Sequence, residues 1–250
     1  MACIHNLFQW NWVQAEAELR KAIELNPNYY LAHQWYSFTL LRVGQPEQAV
    51  SEMRLALSID PLSLQTNLAY EGRLLAARQY QDAVSHALAV IELYPDNVEL
   101  RKDLAEAYEH TGRLDKARQE FDKFVAGTEA GRSLRTTCKS LNYSQCKQQF
   151  VKLEAKTTLD ELETKRQKGQ YTSPAEYAQA YLQLGEKGKA MHWLELAYEH
   201  GCSIMLDLNL PMFDELRSET AFQELVGKVG LPRARKRGTT GLDGRTAPPD

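Results

Sequence analysis

A period of 34 residues constrains this chain more than any other feature of its sequence. Small residues and prolines recur with that step, at Ala15, Ala49, Ala83 and Ala117 and at Pro27, Pro61 and Pro95. A fixed step of this length, with small residues inside and a proline at the end, is typical of arrays of paired helices. The period therefore predicts an all-α solenoid of antiparallel helix pairs, in which each pair packs against its neighbours along the chain.

Each recurring alanine begins a set of three residues at the spacing i, i+4, i+7. The sets are Ala15, Leu19 and Ala22; Ala49, Met53 and Ala56; Ala83, Ala87 and Val90; and Ala117, Phe121 and Phe124. This spacing places a set on one helical face, where the alanine allows a second helix to approach closely. The proline then ends the helix, because it lacks an N–H and pushes the preceding residue out of the helical conformation.

The period also divides the chain into units. We expect an incomplete first unit in residues 1–29, three units in 30–127, a degenerate helix pair in 128–170, a further unit in 171–203, a capping helix in 204–232 and a disordered tail in 233–250. Residues 128–170 are out of phase, because the step from Ala117 to Ala155 is 38 residues. A final helix from Asp214 to Val229 would cover the last interface of the array. The tail has too little apolar surface to order itself.

Charge and composition narrow the class of protein. The net charge of -3 argues against a nucleic-acid partner bound through overall charge. The apolar runs are shorter than the roughly 18 residues needed to span a bilayer, and residues 1–12 do not read as a signal peptide. Four cysteines at irregular spacing do not indicate a disulfide framework. The sequence alone therefore predicts a cytoplasmic protein, unless a longer parent protein places it outside the membrane.

The recurring residues resemble the tetratricopeptide repeat. That family's pattern is a large residue, Leu-Gly and Tyr, followed by Ala, Phe, Ala and Pro, and its second half is kept better here. The first half reads Tyr36-Ser37 with Leu40, Tyr70-Glu71 with Leu74, and Leu104-Ala105 with Tyr108. The resemblance covers residues 10–127 strongly and 171–200 well. It implies a right-handed superhelix in which the first helix of each unit lines a concave face.

A narrower resemblance involves several particular segments. They are the run from Trp10 to Pro27 and residues 158–162, 171–174, 213–218 and 222–225. These segments look like the tetratricopeptide region attached to bacterial winged-helix regulators, membrane Ser/Thr kinases and related signalling proteins. The resemblance implies a parent protein whose output domain lies elsewhere, because this chain contains neither a kinase nor a winged-helix segment.

No motif of a catalytic or cofactor site stands out in the sequence. It contains no phosphate loop, Rossmann glycine fingerprint, nucleophile elbow or metalloprotease helix. His200 and Cys202 have the spacing of a zinc-ligand pair but lack a second pair. The basic run at 233–237 is more typical of a solvated tail than of a nucleic-acid or membrane contact. We therefore expect a protein that is not an enzyme and that holds neither a cofactor nor a metal.

The resemblance also implies which residues face the groove. They come from the first helices of three successive units: Gln34, Phe38 and Leu41; Leu68, Gly72 and Leu75; and Lys102, Glu106 and Glu109. Apolar residues predominate in the first two sets and charges fill the third, and exposed apolar residues with polar surroundings mark interaction sites. The alternative is that several of the leucines pack inward between repeats. The chaperone-tail clamp of the family needs Lys and Asn at positions that hold Gln34, Phe38, Leu68 and Gly72 here, so that clamp is absent.

These observations favour a non-catalytic scaffold that binds a protein or peptide segment in its concave groove, as a module or fragment of a bacterial signalling protein. The alternative is a ligand-sensing domain that controls an attached kinase or DNA-binding domain. The expected partner is a protein or peptide segment. We expect no nucleic-acid partner and no membrane span, and the sequence makes no prediction of the oligomeric state.

Overall fold

A computed structural model of the protein describes residues 11–231, and within that range it has twelve α-helices, two short 3-10 helices and no strand. In chain order the α-helices are α1 Trp12–Leu25, α2 Tyr30–Arg42, α3 Pro46–Ile59, α4 Leu64–Ala76, α5 Tyr80–Leu93, α6 Val98–His110, α7 Leu114–Ala126, α8 Glu129–Cys138, α9 Tyr143–Gln167, α10 Pro174–Gln183, α11 Lys187–Glu199 and α12 Thr220–Val229. The 3-10 helices are Ser203–Leu206 and Pro211–Leu216. The predicted all-α fold is confirmed. Trp10 and the tail predicted for residues 233–250 lie outside the described residues.

Successive helices pack side by side as pairs, α2 with α3, α4 with α5 and α6 with α7. The turn inside a pair needs a residue in the left-handed conformation, which is Gly44 (φ 79°) in the first of these pairs and Gly112 (φ 75°) in the third. The middle turn has Arg78 at φ 60° instead. That conformation costs a non-glycine residue about 1–2 kcal/mol. We therefore expect the side chain of Arg78 to make a contact outside the turn that offsets this cost.

The recurring alanines lie at the closest contacts between helices. Ala15, Ala49, Ala83 and Ala117 are each 0% exposed. One apolar cluster extends from Val50 on α3 to Phe150 on α9, and a second joins α10, α11 and α12 to the segment between them. The core is thus a continuous layer between neighbouring helices, as the period predicts for an array in which each unit buries its face against the next.

A repeated polar contact fixes each turn between helix pairs. The fourth residue of each first helix binds the carbonyl oxygen of the proline in the preceding turn, and it also binds a side chain on the second helix of its own pair. The contacts are His33 to Pro27 O (2.9 Å) and Glu52 (2.8 Å), Asn67 to Pro61 O (2.9 Å) and His86 (3.1 Å), and Arg101 to Pro95 O (3.3 Å) and Glu120 (2.9 Å). We call these contacts the turn clamps. Their positions keep the 34-residue step although the residue types differ.

A buried carboxyl group, that of Glu71, lies beside the middle turn clamp. Glu71 on α4 is 0% exposed, and one of its oxygens lies 2.7 Å from His86 Nδ1. Burial raises the pKa of Glu71, and the hydrogen bond with His86 opposes that rise. The other oxygen of Glu71 has no hydrogen-bond partner among the described residues. His86 is therefore the hydrogen-bond partner that holds this buried carboxyl group in place.

We expect His86→Ala to destabilise the fold by about 1–3 kcal/mol, because it leaves the buried carboxyl group of Glu71 without its hydrogen-bond partner. Chemical denaturation measures the change through the transition midpoint. His192→Ala on α11 is the matched control, since His192 is exposed and belongs to no turn clamp. A loss of stability no larger than the control's would contradict the role given to the Glu71–His86 pair.

The out-of-phase region forms a short helix followed by a long one, α8 and α9. Asn142 starts α9 with a capping box, in which it and Gln145 bind each other's backbone N–H groups. The helix begins at Tyr143 and ends at Gln167. Cys138 and Cys146 form a disulfide, which the irregular spacing of the four cysteines did not indicate. The turn before α9 brings their Cα atoms within 5.0 Å, a proximity that the sequence spacing does not reveal.

The C-terminal segment does not form the single capping helix that the sequence predicted. The helix expected from Asp214 begins only at Thr220, and residues 203–216 contain the two 3-10 helices. Leu206, Leu208 and Phe213 are all fully buried in this stretch. Their spacing does not fit one α-helical stripe, so the backbone bends to place each of them in the core, and Pro211 supplies no N–H for a continuous helix.

The C-terminal unit, residues 203–231, returns to the first helices of the array. Trp12 Nε1 donates to Gly230 O at 3.3 Å. Trp12 and Val43 lie in the same apolar cluster as Phe213, and two ion pairs described below join the same parts. The array therefore closes on itself, whereas the sequence predicted only that its last interface is covered.

Candidate functional site

The residues predicted to face a groove lie on α2, α4 and α6, first helices that are neighbours in the array. On α2, Gln34 and Phe38 are half-buried. Leu41 is only 8% exposed and packs in a cluster with Leu19 and Tyr36. It lies about 60° around the helix from Phe38, which turns it toward the core. Leu41 is therefore a core residue, and the candidate surface does not include it.

The middle of the face is formed by α4. Leu68 and Leu75 are half-buried and pack against the main apolar cluster. Gly72 lies between them in sequence, and a Cβ added there would meet no atom within 4 Å. Open space therefore lies above this position, and the two leucines offer only part of their surface.

The third part of the face, on α6, is charged. Lys102 is exposed and pairs with Glu99 at 2.9 Å, while Glu106 is half-buried. Glu109 accepts hydrogen bonds from Tyr143 Oη at 3.1 Å and from Lys147 Nζ at 2.5 Å, both on α9. Burial, reinforced by Glu109, raises the pKa of Tyr143. The charges at this end are therefore partly compensated by α9.

Two guanidinium groups cover Phe38. The Cζ atom of Arg42 lies 3.6 Å from the centroid of the ring, and that of Arg73 lies 5.1 Å from it. The rings of Trp35 and Phe38 pack edge to face, with their centroids 5.9 Å apart. Cation–π contacts of this kind contribute about 0.5–2 kcal/mol each. The ring that the sequence suggested as a direct apolar anchor is thus covered by two cations.

Both arginines lie beside a carboxylate from the C-terminal unit. Arg42 Nε donates to Asp207 Oδ1 at 2.8 Å, and Arg73 Nε donates to Ser37 Oγ at 3.1 Å. Burial lowers the pKa of Arg73 to about 10; Arg42 adds to that effect and Asp207 opposes it. Burial also raises the pKa of Asp207, against the attraction of Arg42. We call Arg42, Arg73 and Asp207 the acid–arginine cluster.

Sequence reasoning missed this cluster. Asp207 is 165 residues from Arg42 and lies outside the regular repeats, so no spacing relates the two. One signal was present, however. Arg78 occupies the turn position at which neighbouring pairs have Gly44 and Gly112, and its side chain binds Asp214 of the C-terminal unit at 2.5 Å.

Residues 11–231 contain no group of three or more His, Cys, Asp and Glu side chains that could hold a metal ion. Among the helices of that same range, none is long and apolar enough to cross a membrane.

Two family models of the tetratricopeptide repeat match the chain, at residues 18–51 and 74–126. The first match contains α2 and parts of its neighbours, and the second contains α5, α6 and α7. The chain therefore carries tetratricopeptide repeats where the 34-residue period is strongest. These matches do not support the narrower resemblance to regulators and kinases. No curated protein matches the sequence.

Two solved structures have a similar arrangement of helices. The crystal structure of MamA is 15% identical, covers 76% of this chain and 88% of its own, and has a TM-score of 0.45. The structure from the functional characterization of PilF of Pseudomonas aeruginosa is 19% identical, covers 87% and 90%, and has a TM-score of 0.44.

The charged end of the face contains a carboxyl group with an unusual pKa. Burial raises the pKa of Asp103 on α6 to about 7; Lys102 opposes the rise, and Glu71 and Glu106 add to it. A carboxyl whose pKa is raised on folding lowers stability once it is ionised. The loss is absent below its unfolded value of 3.8 and complete above about 7.

Asp103→Asn should therefore raise the thermal midpoint at about pH 8 and change it little at about pH 4, because only the ionised group is disfavoured in the fold. Thermal unfolding followed by circular dichroism at both pH values measures the effect. Asp96→Asn is the matched control, since Asp96 is exposed in the preceding turn. An equal shift at both pH values would show that burial of the charge at Asp103 is not what limits stability.

Proposed function

We propose that this chain is a non-catalytic scaffold that binds a segment of a partner protein along the face formed by α2, α4 and α6. The tetratricopeptide repeats at residues 18–51 and 74–126 favour a protein partner. The choice of this face rests on one observation: the chain's own C-terminal unit lies against it, with Asp207 at Arg42 and Asn209 donating to Arg42 O at 2.9 Å.

The chemistry of the face supports the same proposal. Half-buried apolar side chains, Leu68 and Leu75, lie beside the open space above Gly72. Charged side chains follow on α6, where Glu106 is half-buried. A bound segment, extended or helical, would place apolar residues at one end of the face and charged residues at the other.

We further propose that the chain is a module of a bacterial signalling protein. This rests on the narrower resemblance at residues 158–162 and 171–174. The alternative is a sensor that responds to a small ligand and controls an attached kinase or DNA-binding domain. Sequencing the gene on both sides separates the two, because an output domain in the same reading frame favours the sensor.

The disulfide leads us to propose an oxidising compartment in place of the cytoplasm. Cys138 and Cys146 are both buried, and Arg118 fixes the turn between them by donating to Cys138 O and Leu141 O at 2.8 Å each. Disulfides persist in oxidising compartments and are rare where thiols are kept reduced. We therefore expect the protein to work in an oxidising compartment, where this disulfide persists.

Protein isolated from its source cell, with free thiols alkylated at lysis, should contain a linked pair of peptides that joins residues 138 and 146. Mass spectrometry before reduction detects the pair. Cys202 has a free thiol and serves as the internal control, because it should be found alkylated in the same sample. Recovery of Cys138 and Cys146 in alkylated form would place the protein in a reducing compartment.

Gly72→Arg tests the face itself. The position has open space above it, so an arginine fits without a clash and projects over the face. We expect partner binding to weaken about tenfold or more, because a bulky charged side chain blocks the segment, while the thermal midpoint does not fall. A photo-crosslinking residue at Gln34 or Glu106 identifies the partner in the source cell, and its affinity for each variant is then measured.

Gly188→Arg is the matched control for this experiment. Gly188 is exposed, also has no atom within 4 Å of an added Cβ, and lies on α11, which is not one of the three helices of the proposed face. The control should bind the partner as the wild type does. If Gly188→Arg loses the partner and Gly72→Arg retains it, the partner binds the outer helices.

A further inference from the structure

An excess of positive charge lies where the C-terminal unit meets α2 and α4. Arg42 and Arg73 both lie near Asp207, the one described carboxylate that interacts with either of them. Arg42 is 4% exposed, yet its Nη1 has no hydrogen-bond partner within residues 11–231. A buried donor without an acceptor costs free energy. The acid–arginine cluster therefore has at least one N–H donor, on Nη1 of Arg42, for which it has no acceptor.

Arg73 is half-buried, and its contacts differ from those of Arg42. Its Nε donates to the neutral hydroxyl of Ser37 at 3.1 Å, and Asp207 acts on it only through the electrostatic field. An arginine fork has the geometry to bind both oxygens of a carboxylate. A second or differently placed carboxylate would therefore find the unpartnered Nη1 of Arg42 and the neighbouring charge of Arg73.

Residues 207–210 indicate which groups the site recognises within the chain. Asp207 accepts from Arg42, and two residues later the amide of Asn209 donates to Arg42 O. Leu210 then packs against the apolar cluster of Leu19 and Tyr36. A carboxylate followed three residues later by a leucine thus satisfies the ends of α1 and α2, and another protein can offer the same groups.

A second ion pair joins the same two parts of the molecule at a strained residue. Arg78 binds Asp214 at 2.5 Å with its backbone at φ 60°, where Gly44 and Gly112 stand in neighbouring turns. Such strain is concentrated at functional sites. The turn itself gains nothing from an arginine, so the contact with the C-terminal unit explains the residue.

We propose that the acid–arginine cluster is a recognition site for an acidic segment of a partner protein, which takes the place that Asp207 holds within the chain. The segment has an aspartate or glutamate followed within a few residues by a leucine. This inference rests on the proposed scaffold function and adds the chemistry of the partner. An acidic occupant is favoured by charge complementarity to the buried guanidinium group of Arg42 and the half-buried one of Arg73.

The proposed exchange keeps the C-terminal unit packed on α11, where Phe213, Leu216 and Phe222 share one apolar cluster with Leu194. Trp12 and Val43 belong to the same cluster, so the exchange also requires the unit to leave these two side chains. Removing one partner of a buried ion pair is strongly unfavourable. When Asp207 moves away, the carboxylate of the partner compensates the charges of Arg42 and Arg73. An acidic segment can therefore separate the C-terminal unit from α2 and α4, whereas a neutral segment cannot.

A peptide with the sequence of residues 205–211 tests the inference when its ends are acetylated and amidated. Its only charge is then the carboxylate that corresponds to Asp207. The control peptide carries Asn at that position. Calorimetric titration compares the full-length wild type with Asp207→Asn. We expect the acidic peptide to bind the variant about tenfold or more tightly than the wild type, because the competing carboxylate within the chain is gone.

Two further variants keep the test specific. Asp207→Asn combined with Arg73→Gln should lose the preference for the acidic peptide over the control peptide, which is expected to be about tenfold or more. Arg78→Gly gives the turn the residue of its neighbours and removes the contact with Asp214, while Arg42 and Arg73 stay intact. It should also bind the acidic peptide more tightly than the wild type, and it replaces Asp207→Asn if circular dichroism shows that variant to be unfolded.

Equal binding of the two peptides, or no binding to any variant, would overturn the inference. A wild-type dimer with exchanged C-terminal units, seen by light scattering and crosslinking, would also overturn it, because the occupant would then be a second copy of this chain. If Gly72→Arg abolishes partner binding while the acidic peptide binds no variant, the scaffold function stands and only the recognition of an acidic segment fails.

Discussion

The hydrogen bond to the proline carbonyl at each turn is the contact on which the rest of the array depends. The proline ends a helix and leaves backbone oxygens near the turn without helical partners. One side chain from the next helix pair satisfies that oxygen and is itself held by the second helix of the pair. His33, Asn67 and Arg101 do this with three different chemistries. The geometry of the turn clamp is therefore repeated, while the charge of the side chain that forms it varies. This constant geometry lets the alanine contacts between helices keep one spacing throughout.

The features with the 34-residue period were predictable, because each depends on residues that are close in sequence. The buried alanines, the paired helices and the turns at Gly44 and Gly112 all follow from local spacing. The turn clamps have the same period, but their unlike side chains hide it. Contacts that close the ring were not predictable. Asp207 contacts Arg42 across 165 residues. Its position depends on the sum of the small rotations between successive units, and no single unit determines that sum.

Closure changes what the scaffold presents to a partner. An array with two free ends offers the whole face of its first helices, whereas here the C-terminal unit covers the ends of α2 and α4 through Arg42 and Arg78. The burial of Arg42 and Asp207 is not an efficient way to gain stability, because desolvation offsets much of the attraction between buried charges. Replacing such a pair by apolar residues would often hold the ring at least as well. The choice of charges therefore fits a contact that is exchanged better than one that is permanent.

The two ends of the face also differ in the sign of their electrostatic potential. Burial shifts the pKa of both Arg73 and Asp103, but the neighbouring charges differ: Arg42 adds to the shift at Arg73, whereas Glu71 and Glu106 add to the shift at Asp103. Positive charge is thus in excess at the ends of α2 and α4, and negative charge is in excess on α6. Complementary potentials fix the register and direction of a bound chain more than they add affinity. A segment with its acidic residue at Arg73 and a basic residue near Asp103 satisfies both ends, and the reversed direction places like charges together at each end. Under the proposed function, the face would therefore select the orientation of its partner as well as the partner's composition.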